Sequence, residues 1–154
     1  MKKIITMILC IMLVLIFASC GQSKIELGEE SSVREDTKFD VSMEIVDGTL
    51  TQTSATIRVI NNTDIEIDSG NAYDFAIESQ QNGKWYSIKT EERTNTAEAW
   101  TFEGTRDVEI NWSQIYGTLP NGHYRIVKYF SPWAEDGTYG FDDSFYLTAE
   151  FEIQ

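Results

Sequence analysis

From Phe39 onward, apolar and polar residues alternate in short runs, the period-two pattern of strands with one buried face. Phe39, Val41, Met43 and Ile45 alternate with Asp40, Ser42 and Glu44, and Ala55, Ile57 and Val59 alternate with Thr56 and Arg58. Tyr73, Phe75 and Ile77 fall on one side of a third run, with Asp74 and Glu78 on the other. Val108, Ile110 and Trp112 alternate with Asp107, Glu109 and Asn111, and Phe145 to Ile153 repeats the pattern. The stretch His123 to Phe130 is apolar on both faces, as a central strand requires. No segment sustains a 3.6-residue period, so no helix is expected.

Turn residues separate these runs. Asp47-Gly48, Asn61-Asn62-Thr63, Asn82-Gly83, Pro120-Asn121-Gly122 and Asp136-Gly137 all stand between periodic segments. Asn82-Gly83 marks a hairpin into Trp85–Ile88, and Ala97–Phe102 is a weaker strand candidate. The pattern predicts an all-β fold, a two-sheet antiparallel sandwich of about seven to eight strands. Trp85, Tyr86, Trp100 and Trp112 are expected in its core, where large rings fill a sandwich interior. Tyr124 opens the penultimate strand just after a Pro/Gly corner. That placement is similar to the tyrosine corner of immunoglobulin-like sandwiches, whose hydroxyl bonds back to the chain a few residues upstream.

The first nineteen residues belong to targeting rather than to the fold. Lys2 and Lys3 precede an uncharged apolar run, Ile4 to Phe17, and Phe17-Ala18-Ser19-Cys20 reads as a lipobox with Phe where Leu is usual. Residues 1–19 are thus a lipoprotein signal peptide, with Cys20 the lipidation site. An uncleaved anchor is the other reading, since the run approaches the roughly 17 residues of a minimal span. Both leave the remainder extracytoplasmic, because the lysines hold the N-terminus inside. A diacylglyceryl thioether with palmitate-type acyl chains at Cys20 would anchor the chain, at about 0.8 kcal/mol per buried CH₂. Cys10 leaves with the signal, so Cys20 stands alone and no intramolecular disulfide forms.

Residues 20–37 read as a lipidated cysteine and a flexible acidic tether, rich in Gly, Ser and Glu and without aromatics. Its expected reach is roughly 20–24 Å. Residues 38–154 form the domain. The net charge of −13 grows more negative once the two signal lysines are removed. Such a surface repels phosphate backbones, which argues against nucleic acid as a partner and leaves the lipid to hold the membrane.

Several motifs together resemble the bacterial Ig-like domain lipoproteins common in Gram-positive bacteria. They are Asn61-Asn62-Thr63 after a β-branched strand, Asn82-Gly83-Lys84-Trp85-Tyr86, Trp112, Leu119-Pro120-Asn121-Gly122-His123-Tyr124-Arg125-Ile126-Val127 and Ala149-Glu150-Phe151. The resemblance covers about Lys38 to Gln154. It implies an immunoglobulin-like sandwich without the disulfide, carried at the cell envelope, and no catalytic residue transfers with it.

His123 is the single histidine, too few for a zinc site of the usual ligand set. The richest stretch for function is Ser131 to Asp143, a long connection of a kind that is uncommon unless functional. Trp133, Tyr139 and Phe141 offer stacking faces for a cell-envelope protein or glycan, or fold back to cap the core. If strands run in immunoglobulin order, the 61–71 connection emerges beside this loop, adding Asp64 and Asp68 to the binding candidates. Glu135, Asp136, Asp142 and Asp143 are weak Ca²⁺ candidates without EF-hand spacing. The sequence therefore points to a non-enzymatic binding domain. An enzyme inhibitor or sensor presenting a loop is the alternative, and a cell-wall hydrolase a distant one.

Overall fold

Two antiparallel sheets face each other across one apolar layer in the computed structural model, which describes residues 24–35, 38–90 and 100–154. The signal segment and Cys20 lie outside the described residues. In chain order the strands are β1 (Leu27–Glu30), β2 (Val41–Ile45), β3 (Ser54–Asn61), β4 (Glu66–Asp68), β5 (Ala76–Gln81), β6 (Lys84–Ile88), β7 (Thr101–Phe102), β8 (Gly104–Asn111), β9 (Gly122–Trp133) and β10 (Phe145–Ile153). The larger sheet runs β1-β6-β5-β9-β4-β7 with β10 also paired to β9, and the smaller runs β2-β3-β8.

The alternation seen in the sequence decides which side chains enter the layer. In β10, Phe145, Leu147, Ala149, Phe151 and Ile153 are buried while Tyr146, Glu150 and Glu152 face outward. Ala55, Ile57 and Val59 from β3 and Val108 and Ile110 from β8 supply the opposite wall. Each large apolar side chain so buried contributes about 1.5–3 kcal/mol. One end of the layer is closed by rings: Trp112 stacks on Phe151 at 5.4 Å and Tyr124 stacks on the same ring at 5.6 Å. The Trp112 indole donates to Gln52 O at 2.9 Å, so this fully buried residue leaves no orphan N–H.

Four expectations need correction. The 20–37 segment is not a free tether over its described part, because Leu27–Glu30 forms β1 on the edge of β6. Its low apolar content is offset by backbone pairing and by cross-strand charges. The described residues hold ten strands rather than seven or eight, plus one helical turn, α1 (Ser113–Tyr116). Of the weak Ala97–Phe102 candidate, Thr101–Phe102 is a strand and residues 97–99 lie outside the described residues. Of the four expected core aromatics Trp112 is buried and Trp100 packs half-buried against the core, while Trp85 and Tyr86 are half-buried outside it. Trp85 lies under the Arg125 guanidinium, 4.6 Å from ring centroid to Cζ, and Arg106 covers Trp100 at 4.8 Å.

The run Tyr73–Glu78 also departs from simple alternation. The strand begins only at Ala76, Tyr73 stands at a turn tip, and Glu78 is buried. β5 and β4 pair with successive stretches of β9, Tyr124–Val127 and Ser131–Trp133, and the chain between them bulges away. Lys128 explains that bulge: its ammonium, buried to 2% exposure, donates to Asn71 O at 3.0 Å and Asp74 O at 2.9 Å. Asp68 and Asp74 offset part of the burial, yet desolvation dominates and pulls the amine down to about 8.

Candidate functional site: an acidic aromatic cleft

The short β4 and the end of β9 bring two loops together. Glu66 pairs with Trp133 and Ile67 with Pro132, so whatever precedes β4 lies beside whatever follows β9. Ahead of β4, the Asn61 side chain organises the turn. Its Oδ1 accepts from Thr63 N at 3.0 Å and from the Thr63 hydroxyl at 2.6 Å, while its Nδ2 donates to Ile65 O at 2.8 Å. Asp64 is left exposed at the tip of this pinned turn.

After β9, Gly137 N donates to Ala134 O at 3.1 Å, and Gly137 takes the left-handed φ of +71° that a side chain resists. Asp136 accepts from Thr138 N at 3.0 Å and from the Thr138 hydroxyl; the Thr138 hydroxyl, then its amide, holds the Asp136 carboxyl below the ordinary range. The chain then passes Tyr139, which packs edge-on against Phe39 at 5.9 Å, and Phe39 rests on Phe145 at 5.5 Å.

Between the two loops lies an open cleft of about 550 Å³. Its aromatic lining is Trp133 and Tyr139, and its acidic lining is Asp64, Glu66, Glu103, Glu135 and Asp136, with no Lys, Arg or His among the lining residues. Trp133 is 49% exposed, unusual for the largest apolar side chain. The arrangement offers an aromatic face and carboxylates together, chemistry suited to a cation or to a basic side chain with an apolar stem.

The sequence candidates divide accordingly. Asp64, Trp133 and Tyr139 meet in the cleft, while Tyr139 also serves as a cap through Phe39. Asp68 does not join them: its Oδ1 accepts from Gly70 N at 2.7 Å, on the Lys128 side of β4. The Phe141 side chain lies outside the described residues. The calcium set does not assemble, since among the described residues no three His, Cys, Asp or Glu side chains form a metal-holding group. The Asp143 carboxylate is turned to Gly140 N at 2.9 Å. His123 is engaged by Gln80 Oε1 and Glu150 Oε2, each at 3.1 Å.

Two charged groups escaped the sequence reading. Both lie in β9, whose residue pattern from His123 to Phe130 is largely apolar on both faces. Lys128 is one. The other is Arg125, whose Nε and Nη2 reach Glu78 Oε2 at 2.7 and 2.6 Å in a pair with side chains 9% and 6% exposed. A charge inside a central strand needs a partner, and that rule was the available signal. On the same outer face, Tyr73 and Tyr146, 62% and 40% exposed, flank a second open groove of about 550 Å³.

No curated protein and no solved structure matches this chain. The profile of a bacterial Ig-like domain matches residues 37–152, the span that holds both sheets except β1. The chain belongs to the bacterial Ig-like domain family.

Proposed function

We propose that this chain is a surface lipoprotein, cut before Cys20 and lipid-anchored there, whose Ig-like domain binds a basic segment of a cell-envelope partner in the cleft beside Trp133. The observation that carries the reading is the half-exposed Trp133 set among five carboxylates. A lysine or arginine stem packs on the indole while its head meets the rim charges. None of the five carboxylates is buried, whereas a glycosidase acid needs an apolar environment to keep its proton. That difference favours binding over hydrolysis.

The corrected fold also changes the geometry of the anchor. Cys20 to Lys24 would span at most about 14 Å even when fully extended, which would hold a lipid-anchored domain close to the membrane. Ser87 faces Glu78 and Glu78 faces Arg125; Leu27 pairs one step further on, with Ile88. The chain therefore enters the larger sheet on the side towards which β9 runs to Trp133.

Two measurements test the reading. Cys20→Ser should leave an unlipidated full-length precursor, and normal processing of that variant would remove the anchor from the account. Titration of the protein with a lysine-rich peptide should show binding that weakens with salt and is lost in Trp133→Ala. Binding unaffected by that substitution would place recognition elsewhere.

A further inference from the structure

The family match begins at residue 37, yet the larger sheet starts ten residues earlier, with β1 laid along the edge of β6. The segment that covers this edge thus comes from outside the matched domain. Its fit to the edge is chemical and specific. Glu26 pairs with Lys89, and Glu30 pairs with Lys84 at 2.7 Å, so cations at the two ends of β6 meet carboxylates four residues apart. Between them stands Gly28, where a Cβ would run into the Ser87 hydroxyl, and Ser87 donates to Glu29 O at 3.3 Å. Backbone bonds complete the seat: Lys89 N to Glu26 O at 2.9 Å and Ser31 N to Trp85 O at 2.8 Å.

The occupant is held mainly at its surface, with Ile25 half-buried against the core just ahead of it. No residue from Lys24 to Glu35 is buried. Past β1 the chain crosses the outer face of the sheet. Arg125 Nη2 donates to Ser31 Oγ at 3.4 Å and Val33 O at 3.3 Å, and Glu35 accepts from Thr148 N at 2.9 Å. Segments with few buried apolar contacts open well before the whole domain unfolds. An opened β6 presents an unpaired strand edge, a template for another extended segment.

We propose that the β6 edge is an exchangeable docking site for an acidic strand with carboxylates four residues apart and a small residue midway, filled in cis by residues 26–30 and in trans by the same residues of a second copy. Charge complementarity selects the occupant, since the two lysines reject a basic strand, and the second copy carries the matching segment by identity.

Charge exchange tests this in the full-length chain. Glu26→Lys/Glu30→Lys puts a basic strand against a basic seat, and Lys84→Glu/Lys89→Glu puts an acidic strand against an acidic seat. All four side chains are more than half exposed, so the core is left alone. Mixed together, the two variants match in trans at both seats. Native mass spectrometry should show a one-to-one mixed dimer, about tenfold or more above the dimer formed by either variant alone. A labelled peptide of residues 24–35 should bind the Glu26→Lys/Glu30→Lys protein and not the Lys84→Glu/Lys89→Glu protein, with the preference reversed for a peptide carrying both lysines. Failure of the peptides to follow this charge rule overturns the docking site. Peptide binding without mixed dimer overturns the second copy as its occupant.

Discussion

The hydroxyl of Tyr124 donates to the carbonyl oxygen of Pro120, four residues upstream, at 2.8 Å. The ring is buried to 1% and burial pushes its hydroxyl pKa up, so the proton stays where the bond needs it. This is the corner that the Pro120-Asn121-Gly122 spacing suggested, and it locks the entry to β9 against the Trp112–Phe151 stack. Tyr124→Phe should therefore cost about 1–3 kcal/mol, because the Pro120 carbonyl loses its donor. The denaturant midpoint measures it, and an unchanged midpoint would mean the corner contributes nothing.

What the sequence made legible shared one property: its signal was local. Period-two runs, Asn-Gly turns and the tyrosine corner are all written within a few adjacent residues. The meeting of Asp64 with Trp133 and Tyr139 is the exception, since it followed from the expected immunoglobulin strand order and not from adjacent residues. What stayed hidden depended on partners far along the chain. β1 carries few apolar residues and is held by Lys84 and Lys89, which pair with Glu30 in the strand and Glu26 just ahead of it, 54 and 63 positions away. Glu78 and Arg125 lie 47 positions apart and meet only through the β5–β9 register. Lys128 bonds to backbone carbonyls of a bulge, a partner that no residue pattern announces.

The Arg125–Glu78 pair gives a second expectation. Arg125→Met leaves the Glu78 carboxylate buried without its cation, a loss of about 3–5 kcal/mol. Arg125→Met with Glu78→Leu removes both charges and should recover much of that loss. A double-mutant cycle by chemical denaturation reads the coupling, and strictly additive effects would show that the pair is not a unit.

Lys128 makes stability rise with pH through the alkaline range. Its amine is near 8 in the folded chain and near its ordinary 10.5 when unfolded, so between these values the unfolded state binds the extra proton. Stability from this group therefore rises as pH increases through that window, by at most about 3 kcal/mol. Above about pH 10 the raised Tyr124 hydroxyl acts the other way, since the unfolded tyrosine ionises first. Unfolding midpoints from pH 7 to 10 should climb relative to those of Lys128→Met. Parallel curves for the two proteins would show that the amine keeps its ordinary affinity for protons.

Trp133 and Tyr139 should separate when each is changed to Ala. Trp133 is half exposed, and its loss should move stability by no more than about 0.5 kcal/mol. Tyr139 gives up its edge contact with Phe39 and should cost about 1 kcal/mol. Thermal unfolding of the two variants is sufficient. A large loss for Trp133→Ala would recast that indole as a structural cap rather than a binding surface.

Partner binding in the cleft beside Trp133 can be read directly on the cell surface. The direct measurement is photo-crosslinking on living cells from a benzophenone side chain placed at Thr138, which lines the cleft, and in parallel at Ser42, exposed on the smaller sheet. A discrete crosslinked product should form from position 138, be absent from position 42 and be lost when Trp133→Ala is added. The same products from both positions, or a product from position 138 that survives Trp133→Ala, would contradict it.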